Sequence, residues 1–402
     1  MPKAKTPKPN PPANYHPDTL AVRGGTLRSG FDETSEALYL TSAYVYSSAE
    51  EAAAAFRGDI NRFVYSRYGN PTVAMLQQRM AALEGAETAL ATSTGMAAVF
   101  ATVASLLKSG DRLVASRALF GACHAIFTEI LPAWGIQTEL VDGRDNAAWD
   151  KALSTPATMV FVESPSNPLL ELVDLAYVTK KAHKAGALMV VDNVFATPTG
   201  QSPLKFGVDI VVYSTTKHID GHGRTLGGLI LGAKSIVDDT ILKFIRRTGP
   251  SLSPFNAWVI LKSLESLPYR IARHAESAQY IAETLQSQWQ DCRILYPFLA
   301  SHPQHALAKK QMHHGGNVIA IEINGGEAEC FRLLNALTLI DICNNLGDAK
   351  SLICHPATTT HSNLSDADKA HLRIADNQIR LSVGLEHPDD LLADLTQAYK
   401  AI

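Results

Sequence analysis

One lysine stands between small hydroxyl residues and a run of histidines and glycines in "VVYSTTKHIDGHGRTLGG", Val211 to Gly228. Three chemistries compete for Lys217. As a phosphate-gripping lysine it would need a GxxxxGK[ST] loop, whose spaced glycines let backbone amides wrap a phosphate. Lys217 is preceded by "YSTT" instead, and the GxxxxGK[ST] pattern occurs nowhere in the chain. "GHGRTLGG" approaches GxGxxG but has one residue too many before its third glycine. As a bystander to a metal, it would sit beside His218 and His222, four residues apart. That spacing serves a helix, and Gly221 and Gly223 work against one; the Glu of an HExxH motif is also missing. No metal site is expected. The third possibility is covalent: a lysine amine condenses with a carbonyl to give a Schiff base.

Pyridoxal phosphate is a carbonyl cofactor with three further needs: an acid for the pyridinium nitrogen, donors for the phosphate and an aromatic face for the ring. Asp192 ends the apolar run "LMVVD", 25 residues before Lys217. An acid in such a place is costly unless it meets a cation. "TSTGMAAV" (Thr92–Val99) is a glycine-containing loop entering an apolar helix, so its amides and helix dipole suit an anion. Ser214 and Thr216 flank the lysine with hydroxyls, and Phe120 in "LFGAC" offers a ring. Each of these residues alone also suits a cap, a turn or core packing. Their combination and order favour the cofactor.

The elements that must position them alternate. "RLVAS" (112–116), "TMVFVES" (158–164), "ALMVVDN" (187–193) and "DIVVYST" (209–215) are short apolar, β-branched runs, as expected of strands buried on both faces of a parallel sheet. Between two of them, "DLAYVTKKAHKAG" has Asp174 as cap, an apolar face, lysines in its last turn and Gly186 as stop, completing a βαβ unit. A second helix starts with Asn70 as cap and Pro71 at its first position, and stops at Gly85. Open sheets of this class bind ligands at the carboxyl ends of strands, which singles out Glu163, Asp192 and Ser214. After about Pro268 a long helical stretch leads to "NVIAIEI" (317–323) and "QIRLSVGLE" (378–386). Their polar–apolar alternation predicts one solvated or interface face.

With 402 residues, 46% apolar and 19% charged, the chain has material for about two or three domains. Its net charge of 36 − 39 = −3 gives no field to recruit nucleic acid, so the partner expected is a small molecule. Five cysteines, at 123, 292, 330, 343 and 354, form no CxxC pair, which fits free thiols in a reducing cytoplasm. No stretch of 18 apolar residues occurs, so no membrane span is expected. The N-terminus, with six prolines in 17 positions, reads as a disordered tail rather than a signal peptide.

In their order, "YSRYGNPT", "STGMAA", "ESPSNP", "VVDNVFATP", "DIVVYSTTKHIDGHG" and "RLSVGLE" resemble the Cys/Met-metabolism family of pyridoxal phosphate enzymes, from about Thr19 to the C-terminus. The resemblance implies an α/β, fold type I transferase architecture: a mostly parallel sheet in a large domain with a smaller α+β C-terminal domain. Residues 1–18 would be the tail, 19–70 an arm contacting the neighbouring subunit, 71–268 the cofactor domain and 269–402 the C-terminal domain. Lys217 would hold the cofactor and move protons, and Asp192 would pair with the ring nitrogen. The Gly95 and Met96 amides, with Ser214 and Thr216, would bind the phosphate, while Phe120 stacks. Tyr65 and Arg67 would reach the cofactor of a neighbouring subunit in a homotetramer built from two site-sharing dimers. Arg380 would clamp the substrate α-carboxylate, with Asn167 near the cofactor hydroxyl or the substrate. Phe120 stands where tyrosine is usual, Val194 where threonine is, Asn345 where serine is, and Arg224 where an acid is common. These departures resemble the O-succinylhomoserine sulfhydrylase branch, which implies γ-replacement by sulfide to give homocysteine. Asn345 and Arg224 would then face the substrate, with a loop-ordering pair to Asp220 as the other reading of Arg224. The alternatives are cystathionine γ-synthase, a γ-lyase, an O-acetylhomoserine sulfhydrylase or an inactive cofactor-binding protein.

Overall fold

The apolar runs read above become strands within a residue at each end. The structure, a computed structural model, describes residues 15–362 and 364–402. Most of the expected tail, residues 1–14, lies outside the described residues; the first helix is Pro17–Arg23. In chain order the strands are β1 (Thr88–Thr92), β2 (Arg112–Ser116), β3 (Gln137–Val141), β4 (Met159–Glu163), β5 (Leu188–Asp192), β6 (Ile210–Ser214) and β7 (Gly228–Gly232). There follow β8 (Arg293–Leu295), β9 (Val318–Glu322), β10 (Asp341–Ile342), β11 (Leu352–Cys354) and β12 (Gln378–Ser382). The chain divides into two compact units: residues up to 106 with 213–216 and 225–266, and residues 107–212 with 217–224 and 267–402.

In the second unit β3, β2, β4, β5 and the Ile210–Val212 part of β6 run parallel in that order, while the end of β6, Tyr213 and Ser214, belongs to the first unit. β4 is buried throughout, which is why its sequence shows an apolar run and no alternation. The register pairs Glu163 with Asp192 at the carboxyl ends of β4 and β5. The crossover helix between them, Leu175–Lys184, is capped by Asp174, whose carboxylate accepts the Tyr177 N–H at 3.0 Å. A separate five-stranded sheet, β10-β11-β12-β9-β8, packs Ile319, Ile321, Ile379 and Leu381 on Leu285, Trp289, Leu391 and Leu395. Those last four belong to or adjoin the helices Leu267–Gln288 and Pro388–Tyr399. Burying each such side chain stabilises by about 1.5–3 kcal/mol.

Of the solvated or interface face expected for "QIRLS", the solvated alternative is corrected here: all of β12 is buried. Its polar residues find internal partners instead. Gln378 donates to Glu322 at 3.1 Å, and Ser382 accepts from the Gly347 N–H at 2.9 Å. Alternation marks two different faces, and here the polar one lines protein groups rather than water.

In the first unit β1 and β7 pair antiparallel. The helix Pro71–Glu84 begins as expected: Asn70 accepts the Thr72 N–H at 2.9 Å, and Gly85 closes the helix with a left-handed φ of +77°. Its Arg79 is fully buried and ties down the preceding segment. Nε donates to the Gly24 carbonyl at 2.8 Å, and Nη2 pairs with Glu36, which also accepts from Lys262 at 3.0 Å. Burial opposes the charge on Glu36, but the hydrogen bonds and charge of Arg79 prevail and hold it at about 2.

Candidate active site

Within the second unit, seven of the expected residues or their immediate neighbours form one connected set. Lys217 follows the end of β6, and its Nζ donates to Asn345 Oδ1 at 2.6 Å. Burial, then the positive charge of Arg380, lowers its amine to about 8, against a weaker opposing pull from Cys343. Arg380 projects from β12 and is 2% exposed. Nη1 donates to Asn167 Oδ1 at 2.9 Å, and Nη2 donates to the Asn344 and Asn345 carbonyls at 2.8 and 3.2 Å. Its Nε is buried without a hydrogen-bond partner, and no carboxylate pairs with it among the described residues. A buried guanidinium held only by neutral oxygens has the chemistry to receive a carboxylate.

Asp192 and Glu163 sit side by side at the strand ends. Asp192 Oδ1 accepts the Val194 N–H at 3.0 Å. Burial raises Asp192, and burial together with the Asp192 charge raises Glu163, both well above the usual carboxylate range. A cation placed at Asp192 would reverse that penalty, which is what a pyridinium nitrogen provides. Glu163 was singled out from its strand end, but its contacts were not legible: it accepts the backbone N–H groups of both Phe120 and Asn167 at 2.9 Å. The turn that follows Glu163 contains two cis peptide bonds, Ser164–Pro165 and Asn167–Pro168.

The "HIDGHG" segment resolves as scaffold around the lysine. His218 is buried, shares a 2.6 Å hydrogen bond with Asn317, and is pushed down to about 3 chiefly by burial. Arg270 donates to the His218 and Ile219 carbonyls at 2.9 and 3.3 Å. Gly221, at φ +67°, leaves it room: an added Cβ would stand 1.9 Å from Arg270 Nη1. His222 Nδ1 contacts the Asp220 carbonyl at 2.8 Å. Arg224 wraps Asp220, with its N–H at 2.7 Å and Nη2 at 2.8 Å from the carboxylate.

The first unit holds the other expected residues. Gly95 and Met96 open the helix Gly95–Leu106, where Thr94 Oγ1 accepts the Ala97 N–H at 3.0 Å. A Cβ on Gly95 would lie 2.6 Å from the Ser214 Cβ, so only glycine lets the helix start approach the end of β6. The result is a helix N-terminus beside a serine hydroxyl, a fitting cradle for a phosphate. Thr216 Oγ1 accepts the Gly227 N–H at 3.2 Å. Tyr65 and Arg67 form a separate cluster: the Arg67 guanidinium lies 5.5 Å from the Tyr65 ring centre and 4.7 Å from that of Tyr68, and donates to the Arg246 carbonyl. Tyr65 is exposed.

Within the second unit, an amine lowered toward neutrality, a buried acid and a buried guanidinium suit a carbonyl cofactor with a basic ring nitrogen and an amino-acid substrate; within the first, the glycine-gated helix start suits a phosphate. The Cys/Met metabolism PLP-dependent enzyme family matches residues 18–400. The chain belongs to this family. Its cofactor is therefore pyridoxal 5′-phosphate. An O-succinylhomoserine sulfhydrylase of Mycobacterium tuberculosis H37Rv is 53% identical over 94% of this chain and 95% of its own length. One from Pseudomonas aeruginosa is 47% identical over 96% and 95%. Among solved structures, a putative O-acetylhomoserine (thiol)-lyase of Campylobacter jejuni with a pyridoxyl-lysine-5′-monophosphate is similar, with a TM-score of 0.91, 32% identity, and coverage of 96% and 100%. The mostly parallel α/β fold is that of these fold type I enzymes. Among the described residues no helix is long and apolar enough to cross a membrane.

Proposed function

We propose that the protein catalyses γ-replacement on O-succinyl-L-homoserine: sulfide enters at Cγ, succinate leaves, and L-homocysteine is formed for methionine biosynthesis. The observation that carries this reading is the nearly end-to-end similarity to two O-succinylhomoserine sulfhydrylases, in a chain that carries Lys217, Asp192 and Arg380. Pyridoxal phosphate, when bound, supplies a conjugated ring that accepts the electron pair released at Cα. Lys217 holds it. Once released, Nζ takes the substrate Cα proton and then a Cβ proton as succinate leaves Cγ, and it returns protons to Cβ and Cα after sulfide has added at Cγ, a task suited to an amine at about 8. Asn345 Oδ1 keeps Nζ in place between transfers. Arg380 binds the α-carboxylate, using the Nε that has no hydrogen-bond partner among the described residues, and Asn167 orients it. Asp192 pairs with the ring nitrogen. Ser214, Thr216 and the Gly95 and Met96 amides bind the phosphate. Phe120 stacks on the ring and, lacking a hydroxyl, moves no proton.

Arg224 is the candidate for the succinyl carboxylate, a contact it would share with Asp220. Replacing it with alanine should raise KM for O-succinylhomoserine more than for O-acetylhomoserine; an unchanged ratio leaves it as a loop-ordering residue. The reading extends to a cytoplasmic homotetramer made of site-sharing dimers, in which Tyr65 and Arg67 reach a neighbour's cofactor. All five cysteines are free thiols, and the segment carrying Leu40 and Val45, 70% and 89% exposed, has the apolar surface an interface would cover. The deciding experiment offers O-succinylhomoserine with sulfide or with cysteine and separates the products. Cystathionine formed without homocysteine would overturn the proposal in favour of a cystathionine γ-synthase.

A further inference from the structure

Glu163 is a buried carboxylate with no part in the chemistry above, and its position is unusual. It lies at the end of β4, in register with Asp192 at the end of β5. Its side chain satisfies two backbone donors from different segments: Oε2 accepts from Phe120 N and Oε1 from Asn167 N, each at 2.9 Å. Phe120 precedes the helix Gly121–Ala125, and its own side chain makes no capping bond there. Asn167 in turn accepts from Arg380 Nη1 at 2.9 Å. One carboxylate therefore ties together the segment bearing the aromatic ring, the turn bearing Asn167 and, through Asn167, the guanidinium of Arg380. No cationic side chain pairs with Glu163 among the described residues.

A carboxylate buried next to another is an expensive choice for a purely structural link. A serine or an asparagine could satisfy one backbone N–H at much lower electrostatic cost. Two convergent N–H groups need an acceptor-only fork, which a carboxylate is and a carboxamide is not. We infer that Glu163 is a positioning residue for the cofactor ring: its two oxygens fix the Phe120 and Asn167 backbones from a strand end in register with Asp192, so that the stacking ring and the carboxylate receptor are set relative to the pyridinium partner. This rests on the pyridoxal phosphate reading of Asp192 and Phe120, and it adds a residue that touches neither the reacting atoms nor the substrate.

The test compares the purified wild-type protein with Glu163→Gln and Glu163→Asp. Glutamine keeps the shape but can accept only one of the two N–H bonds. Aspartate keeps the charge and the fork but is one methylene too short to reach both donors. Three readouts are taken: the dissociation constant for pyridoxal phosphate by absorbance titration of apoprotein, the visible circular dichroism of the bound cofactor, and the far-ultraviolet spectrum as a check on folding. Both variants should bind the cofactor about tenfold more weakly, the size of one net charge-assisted hydrogen bond, with an altered visible dichroism that reports a displaced ring. Rescue of both readouts by aspartate would show a charge effect alone and overturn the positioning role, as would wild-type values in the glutamine variant. Should either variant not fold, a Phe120→Leu chain supplies the second route. Soluble protein without the Phe120 ring must show the same change in visible dichroism; an unchanged spectrum rules the inference out. Wild-type protein that bound no pyridoxal phosphate would instead refute the cofactor roles on which the inference rests.

Discussion

Burial and the charge of Arg380 set the behaviour of Lys217. The guanidinium and the burial that surround the amine favour its neutral form, which is the nucleophile and the base. Below about pH 8 most of the amine in apoprotein is protonated, and above it most is neutral. Covalent capture of pyridoxal phosphate by apoprotein should therefore speed up roughly tenfold per pH unit below 8 and level off above it. Stopped-flow absorbance would measure this, and an inflection near the ordinary lysine value of 10.5 would contradict the environment described. Arg380→Lys keeps a charge but loses the planar fork. It should raise KM for the amino-acid substrate by about tenfold or more, from one lost charge-assisted contact. Steady-state kinetics checks it, with cofactor content confirmed equal. The sequence made these two residues legible in different ways. Lys217 was deduced from its neighbours, whereas Arg380 came only from family resemblance, because nothing in "QIRLS" says that its polar face is buried.

At the scale of elements, strand ends do most of the positioning. β4, β5 and β6 deliver Glu163, Asp192 and the residues leading to Lys217, and all three strands were readable because parallel strands buried on both faces write continuous apolar runs. The strands not read have physical reasons. β3 alternates exposed and partly buried positions, β1 is built of alanine, leucine and threonine, and β7 is enclosed by glycines that read as loop. The contacts of Glu163 with Phe120 and of His218 with Asn317 could not be read at all, since those partners are distant in sequence. The helix starting at Gly95 carries its own prediction. Gly95→Ala forces a methyl to within 2.6 Å of the Ser214 Cβ, so the helix start or β6 must shift. Pyridoxal phosphate affinity should fall by about tenfold or more while pyridoxal, without the phosphate, is affected much less; this corresponds to about 1.4 kcal/mol or more. Comparing the two titrations separates a damaged phosphate cradle from general unfolding. A second prediction concerns the histidines of the second unit. His218, His274, His314 and His361 are held by burial at values from about 3 to about 4. Their folded values lie below the ordinary 6.5, so the unfolded chain binds protons that the folded one refuses. The stability they contribute is present above pH 6.5 and is lost as pH falls toward 4. The Tm should drop steeply across that window, and His274→Gln should make the drop shallower in calorimetry.

For the whole molecule, the residues assigned to one cofactor come from distant stretches of chain, and two of them are proposed to act in a neighbour. Tyr65 is exposed and Arg67 is engaged with tyrosine rings and the Arg246 carbonyl, an arrangement that leaves their proposed phosphate role unexplained within one chain. If each copy lends these residues to its partner, Lys217→Ala and Arg67→Ala damage opposite halves of the same site. In a mixed dimer one site then carries both defects and the other carries neither. Each variant alone should have little activity. When they are unfolded together and refolded, or co-expressed, a measurable fraction of wild-type activity should return, with a normal visible cofactor band in that fraction. The reasoning depends only on the symmetry of a closed dimer, in which every contact made in one direction is made in the other. Activity that stays at the level of the single variants, in mixtures shown by tagged purification to contain hybrid dimers, would place Arg67 in its own chain's site and remove the site-sharing arrangement from the proposal.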